Sequence, residues 1–202
     1  MEEAAAIPLG ALTAYRAVMT RGNLQPGETV LIPGIGSGVA IFALQIAAAH
    51  GAKVFVTSSS DEKIEKAIKL GAAGGVNYCA EHWAKQLEKI MGGAELVIDS
   101  VGGANFQHMI HLSKPGGRIV NFGATTGPVP ELLLPRIFFK HLDVLGTTMG
   151  SPRDFENMLA FFDRHHIQPV VDRCFPLEEV RQSLLHLQEG SNFGKVTLEI
   201  PS

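Results

Sequence analysis

The stretch TVLIPGIGSGVAIFALQIAAAHGAKVFVTSSSDEK, Thr29 to Lys63, runs through four local signatures in succession. Val30-Leu31-Ile32 is a short aliphatic strand, and Gly34, Gly36 and Gly38 form a glycine cluster. An apolar run of helical length then reaches His50 and stops at Gly51, and Lys53 to Thr57 is a second β-branched strand. Strand, turn, helix and strand make a βαβ unit, whose right-handed crossover requires a parallel sheet. Glycines at a strand-to-helix turn let the backbone approach a bulky anion, and the helix N-terminus faces that anion with unpaired N–H groups. The anion expected here is the pyrophosphate of a dinucleotide.

The fingerprint G-x-G-x-x-G is not met from Gly34, because position 39 is Val39. Gly36-Ser37-Gly38-Val39-Ala40 instead ends in the small residue that close helix-to-strand packing demands. About 20 residues beyond the glycines, an acid would hold the ribose hydroxyls of NAD. Ser58, Ser59 and Ser60 stand there, followed by Lys63, a set suited to a 2′-phosphate and free of a repelling carboxylate. This favours NADP(H), with Asp61 as the residue that could reverse the preference. Ser59 with Glu62 three residues later also reads as a capping box for the next helix.

The 202 residues, 46% hydrophobic and 18% charged, are enough for a sizeable core. A net charge of −3 gives no electrostatic footprint for nucleic acid. No apolar run would span a membrane, and Met1-Glu2-Glu3 lacks a basic leader, so a cytoplasmic protein is expected. Cys79 and Cys174 stand apart without ligand spacing and read as free thiols.

From Ala4 to Thr20 the apolar spacing predicts a helix starting near Pro8. After the βαβ unit, helices over 61–70, 81–91, 104–113 and 131–140 alternate with strands over 75–78, 96–99, 118–122 and 142–147. The fold class is α/β, a doubly wound six-stranded parallel sheet in the order 3-2-1-4-5-6. Residues 1–166 are expected to form the dinucleotide-binding domain, and 167–202 a strand, helix and strand segment. His165-His166 reads as a solvated helix end.

The chain resembles the cofactor-binding part of the medium-chain dehydrogenase/reductase superfamily, on its zinc-independent quinone oxidoreductase side. Gly10-Ala11-Leu12-Thr13-Ala14-Tyr15, Leu24-Gln25-Pro26-Gly27-Glu28-Thr29, the glycine turn, Asp99-Ser100-Val101-Gly102-Gly103, Gly116-Gly117-Arg118-Ile119-Val120 and Phe193-Gly194-Lys195-Val196 carry the resemblance. It implies hydride transfer between a nicotinamide and a small-molecule quinone, enone or related carbonyl compound.

Position by position, the resemblance assigns Gly36, Ser37, Gly38 and Val39 to the pyrophosphate, and Ser58, Ser59, Lys63 and Tyr78 to the 2′-phosphate. It places Thr13, Gly123 and Met149 near the nicotinamide, and Phe193 and Lys195 among the C-terminal cofactor contacts. No general acid or base is identified. Zinc-dependent relatives carry a ligand where this chain has Leu9, flanked by Pro8 and Gly10, so no metal is expected. Relatives also carry a barrel-like domain ahead of the first helix, which makes this sequence a fragment, isoform or excised domain, and they dimerise through the sixth strand. An alcohol dehydrogenase of the same superfamily and a non-catalytic nucleotide-binding or assembly module are the alternatives.

Overall fold

The computed structural model describes residues 2–200; Met1, Pro201 and Ser202, the outer ends of the two expected domains, lie outside them. The sheet has six parallel strands in the order β3-β2-β1-β4-β5-β6. They are β1 Thr29–Ile32, β2 Lys53–Ser58, β3 Gly74–Asn77, β4 Ala94–Asp99, β5 Ser113–Asn121 and β6 Asp143–Gly146. The central β1 is buried along its whole length and pairs with β2 on one side and β4 on the other. The order reverses between β1 and β4, and this is where the crevice of such a sheet opens.

Helices α1 Glu2–Ala6, α2 Pro8–Tyr15 and α3 Gly38–Ala49 begin the chain's helical set. Helix α3 is apolar nearly all round, with Ile41, Phe42, Leu44 and Ile46 at most 1% exposed, because the sheet lies on one side and α2 on the other. Each such side chain contributes roughly 1.5–3 kcal/mol by leaving water. The amphipathic helices α4 Asp61–Lys69 and α5 Trp83–Met91 cover the sheet with one face only, through Ile64 and Ala67 and through Leu87 and Met91. Helices α6 Phe106–Leu112 and α7 Leu134–Phe138 complete the second half.

Several boundaries depart from the expectation. The first helix does not continue regularly to Thr20: from Arg16 to Arg21 it widens into π-helical turns, with Gly22 N donating to Ala17 O at 2.9 Å. A Cβ at Gly22 would lie 2.6 Å from the Ala17 carbonyl and 2.9 Å from Leu96, so glycine lets this wide turn pack on β4. Helix α5 starts at Trp83 rather than position 81, because His82 has a left-handed φ of 58°. Pro135 fixes the start of α7, which is five residues long rather than ten. The cap of α4 is Ser60, whose Oγ accepts from Lys63 N at 3.3 Å; the capping box expected on Ser59 does not form.

Helix α8 Pro152–His165 is the helix whose end was expected at His165-His166, but its start at Pro152 was not expected. Its cap is Ser151, paired reciprocally with Asp154. Asp154 also accepts from Arg16 Nη1 at 2.5 Å and Thr20 Oγ1 at 2.7 Å, tying α8 to the widened turn. Burial works to raise the Asp154 carboxyl, but donors from Ser151, Thr20 and Arg16 hold it far below the usual carboxylate range. His165 and His166 are exposed at the end of α8, as expected.

The last segment pairs with itself: β7 Val171–Pro176 and β8 Lys195–Glu199 form a two-stranded parallel sheet, crossed by α9 Val180–Glu189. Helix α1 packs on β8, and Thr197 Oγ1 donates to Glu2 at 3.3 Å. Val180, Leu184 and Leu187 on α9 are 42%, 61% and 44% exposed, so the apolar face read from the sequence stays uncovered. Among the described residues, no helix is long and apolar enough to cross a membrane.

Candidate dinucleotide site

The glycine turn sits at the carboxyl end of β1, pinned to the neighbouring strand. Gly34 N donates to Thr57 Oγ1 at 3.3 Å, and Ile35 N to Thr57 O at 2.8 Å. Gly34 and Gly36 have φ of 67° and 135°, conformations that L side chains rarely adopt. Ser37 caps α3, its Oγ accepting from Ala40 N at 3.3 Å. The first-turn amides of Gly38 and Val39 have no partner within a helix, so they face outward at its positive end.

Two lysines converge on this turn. A Cβ at Gly36 would lie 3.2 Å from both Cδ and Nζ of Lys63, and one at Gly38 would collide with the Lys195 side chain. Lys63 comes from the first turn of α4, placed there by the Ser60 cap. Lys195 opens β8 and is brought over by Gly194, whose N–H donates to Gly36 O at 3.0 Å. The C-terminal segment therefore forms one wall of the glycine turn. Lys63 also donates to Gly190 O at 2.5 Å. Burial lowers the Lys63 pKa from its ordinary value, against the pull of the Asp172 carboxylate.

At the end of β2, Ser58 is buried and its Oγ accepts from Ser60 N at 3.2 Å, while Ser59 is exposed. Asp61 accepts from Asn77 Nδ2 at 3.1 Å. Tyr78 follows β3 with its N–H on Ser58 O at 2.9 Å and is 38% exposed. Ser58, Ser59 and Tyr78 thus share one corner, and Lys63 links that corner to the glycine turn.

The expected nicotinamide residues are more dispersed. Thr13 is buried in α2 with its hydroxyl donating to Leu9 O at 2.9 Å. Gly123 follows β5, where a Cβ would press on the Ser100 carbonyl at 3.0 Å. Met149, half exposed, follows β6 with a φ of 45°. Asp99 was not among the expected contacts, yet it organises this edge: it is 1% exposed and accepts from Val101 N, Gly102 N and Asn121 Nδ2. The available signal was an acid ending the apolar run Leu96-Val97-Ile98, directly before Ser100-Val101-Gly102-Gly103.

Phe193 is buried, with the Lys66 ammonium 5.7 Å above its ring, so it acts as packing for the loop rather than as an exposed contact. Two concavities, of about 380 Å³ beside α6 and α7 and about 340 Å³ beside α1 and α8, are lined by none of the expected cofactor residues. The glycine turn is covered by Lys63, Lys195 and the C-terminal loop, and its backbone amides and these two lysines mark it as the candidate site.

Residues 38–164 match the family described as zinc-binding dehydrogenase. A zinc-type alcohol dehydrogenase-like protein from Leptosphaeria maculans is 38% identical over 98% of this chain and 58% of its own length. The crystal structure of an NAD-dependent alcohol dehydrogenase superposes with a TM-score of 0.93, at 38% identity, covering 99% of this chain and 59% of that one. The quinone oxidoreductase of Thermus thermophilus, solved also with NADPH, gives a TM-score of 0.85 at 31% identity, covering 98% of this chain and 66% of that one. This chain spans about three-fifths of the length of these relatives. With a six-stranded sheet in the order 3-2-1-4-5-6 and a matched segment running from the glycine turn to α8, it belongs to the zinc-binding dehydrogenase family of the medium-chain dehydrogenase/reductase superfamily.

Proposed function

We propose that this chain is the NADP(H)-binding part of an oxidoreductase that moves a hydride between the nicotinamide and a quinone, enone or related carbonyl compound. The observation that carries the proposal is the convergence of Lys63 and Lys195 on Gly36 and Gly38 at the switch between β1 and β4. Amides at the start of α3 would bind the pyrophosphate, with Ser37 as the helix cap and Val39 packing behind them. Lys63, Ser59 and Tyr78 would receive the 2′-phosphate, with buried Ser58 shaping their turn. Thr13, Gly123 and Met149 would border the nicotinamide, and Lys195 would close the C-terminal side, with buried Phe193 packing the loop that carries it.

The bound cofactor would supply the hydride, while the protein binds and orients it and excludes water. Relatives named for NAD and for NADPH both resemble this chain, so the preference rests on its own residues. No acid ends β2, and Asp61 is engaged by Asn77. Calorimetric titration of both nucleotides tests it: NADPH should bind at least tenfold more tightly than NADH, and equal affinities would refute the NADP(H) assignment.

The relatives' names also favour an alcohol dehydrogenase. Leu9, 57% exposed on α2, stands where the resemblance puts a zinc ligand and cannot bind the metal, which favours the zinc-independent reading. No step is therefore routed through a metal. Metal analysis of the intact full-length protein, with its turnover of alcohols against quinones, separates the two readings. The nucleotide domain supplies only part of a substrate cleft, so the 202-residue chain should bind NADPH yet reduce a simple quinone poorly; efficient turnover would contradict this. The outer edge of β6 is proposed as a homodimer interface.

A further inference from the structure

The loop 190–194 lies across the glycine turn, although its sequence, Gly190-Ser191-Asn192-Phe193-Gly194, offers little to hold it there. Gly190 and Gly194 both have left-handed φ, of 67° and 121°. The fastenings come from residues outside the loop. Asp172 in β7 accepts from Phe193 N through Oδ1 at 2.9 Å, and its Oδ2 stands 2.7 Å from Nε2 of His186 in α9. The other ring nitrogen of His186 is 3.4 Å from Ser191 Oγ. On the opposite side, Gly194 N donates to Gly36 O at 3.0 Å. The chain at Phe193-Gly194 is thus gripped by Asp172 on one side and by the glycine turn on the other.

We infer that Asp172, steadied by His186, is a positioning residue of the dinucleotide site: it holds the loop 190–194 against Gly36 and so sets the pyrophosphate cradle without touching the cofactor. This rests on the dinucleotide assignment above. A carboxylate that accepts a backbone N–H and an imidazole hydrogen bond makes stronger contacts than a neutral side chain. Although burial works to raise its pKa, the Phe193 amide and His186 keep Asp172 below the usual carboxylate range, so it is ionised at neutral pH. Lys195 follows Gly194 directly, and its side chain packs over Gly38. Releasing the loop would let both the roof and this cation drift from the turn. Asp172 serves the part of the cofactor that NADPH and NADH share, so its loss should affect both alike.

The 202-residue chain and its Asp172→Ala, Asp172→Asn and His186→Ala variants would be titrated with NADPH and NADH by calorimetry. Backbone amide exchange would be followed over residues 192–195 without nucleotide. Asp172→Ala should lose about tenfold in affinity for both nucleotides, and Asp172→Asn, which keeps an acceptor for Phe193 N, should recover most of it. Exchange at Phe193 and Gly194 should accelerate at least about tenfold in the alanine variant. Unchanged affinity in a folded Asp172→Ala protein, or a loss confined to NADPH, would overturn the inference. Should that variant not fold, His186→Ala, which leaves β7 intact, is expected to lose about threefold for both nucleotides, and no loss there would overturn it equally. A wild-type chain that binds neither nucleotide would overturn the dinucleotide assignment and this inference together, whatever the exchange data show.

Discussion

Lys63 in the first turn of α4 donates from Nζ to the Gly190 carbonyl at 2.5 Å, across 127 residues of chain. The same ammonium lies beside the space that a Cβ at Gly36 would fill. One cation therefore joins the glycine turn, the helix after β2 and the C-terminal loop, and a bound 2′-phosphate would compete with Gly190 for it.

Lys63→Ala should weaken NADPH by about 1–3 kcal/mol while changing NADH far less, because only NADPH carries the phosphate that a charge-assisted contact would reach. The loop stays fastened without Lys63 through Phe193 N on Asp172, Gly194 N on Gly36 and Lys195 N on Val170. Calorimetry with both nucleotides checks this. Equal losses for the two would place Lys63 in the loop's support and not at the phosphate.

Gly36→Ala should cost about 1–3 kcal/mol of stability, since a φ of 135° is strained for any L side chain. The new methyl group would also press on the Lys63 side chain, 3.2 Å from its Cδ and Nζ. For a chain of this size the melting temperature should fall by about 2–4 °C per kcal/mol, with affinity for both nucleotides reduced. A thermal melt and a titration on one preparation decide it; a variant that melts and binds like wild type would contradict the turn's assigned role.

Much of this architecture was legible from particular residues. Val30-Leu31-Ile32, the glycines and the apolar run to His50 fixed the central unit, because strand and helix periods differ and glycine marks the turn between them. The six-strand order followed from alternation. Of helix α8 only the end at His165-His166 was legible; its start was not, although Ser151-Pro152-Arg153-Asp154 carries its cap and N1 proline, since the expected capping box has Glu or Gln where this one has Asp. Ser59, read as the cap because Glu62 stands three residues on, gives way to Ser60, since adjacent serines are told apart only by backbone conformation. Asp172 was unreadable as a support for the site: its partners, Phe193 and His186, become neighbours only when β7 and β8 pair.

Asp154→Asn should destabilise the fold by about 2 kcal/mol at neutral pH, because Arg16, Thr20 and Ser151 all donate to the carboxylate and Arg16 would keep an unpaired, half-buried charge. The folded-state pKa is depressed, so the stabilisation is fully present above the ordinary value of 3.8 and is lost as pH falls through the folded-state value. Urea midpoints measured from pH 7 to pH 3 should show a constant gap between the proteins down to about pH 4, narrowing below it. A gap that is constant to pH 3, or absent at pH 7, would show that the ionised carboxylate contributes no stability here.

The homodimer proposal turns on which amides of β6 face outward. Thr147 N donates to Asn121 O in β5, and residues along a strand alternate sides, so Leu145 also faces β5 while Val144 and Gly146 present their backbone groups to the open edge. Val144 is 45% exposed, and Phe138 and Phe139, just before the strand, are 56% and 77% exposed. An unprotected edge beside exposed aromatic side chains invites pairing with a second copy across a two-fold axis. Val144→Pro removes an outward donor and leaves the ladder to β5 intact, so it should convert a dimer to monomer with little loss of stability. The competing surface is the apolar face of α9, where Leu184→Asp should leave the β6 dimer unaffected. Light scattering on the three proteins settles the matter. A monomeric wild type at high concentration, or a clean dimer that survives Val144→Pro and is lost in Leu184→Asp, would remove β6 as the interface.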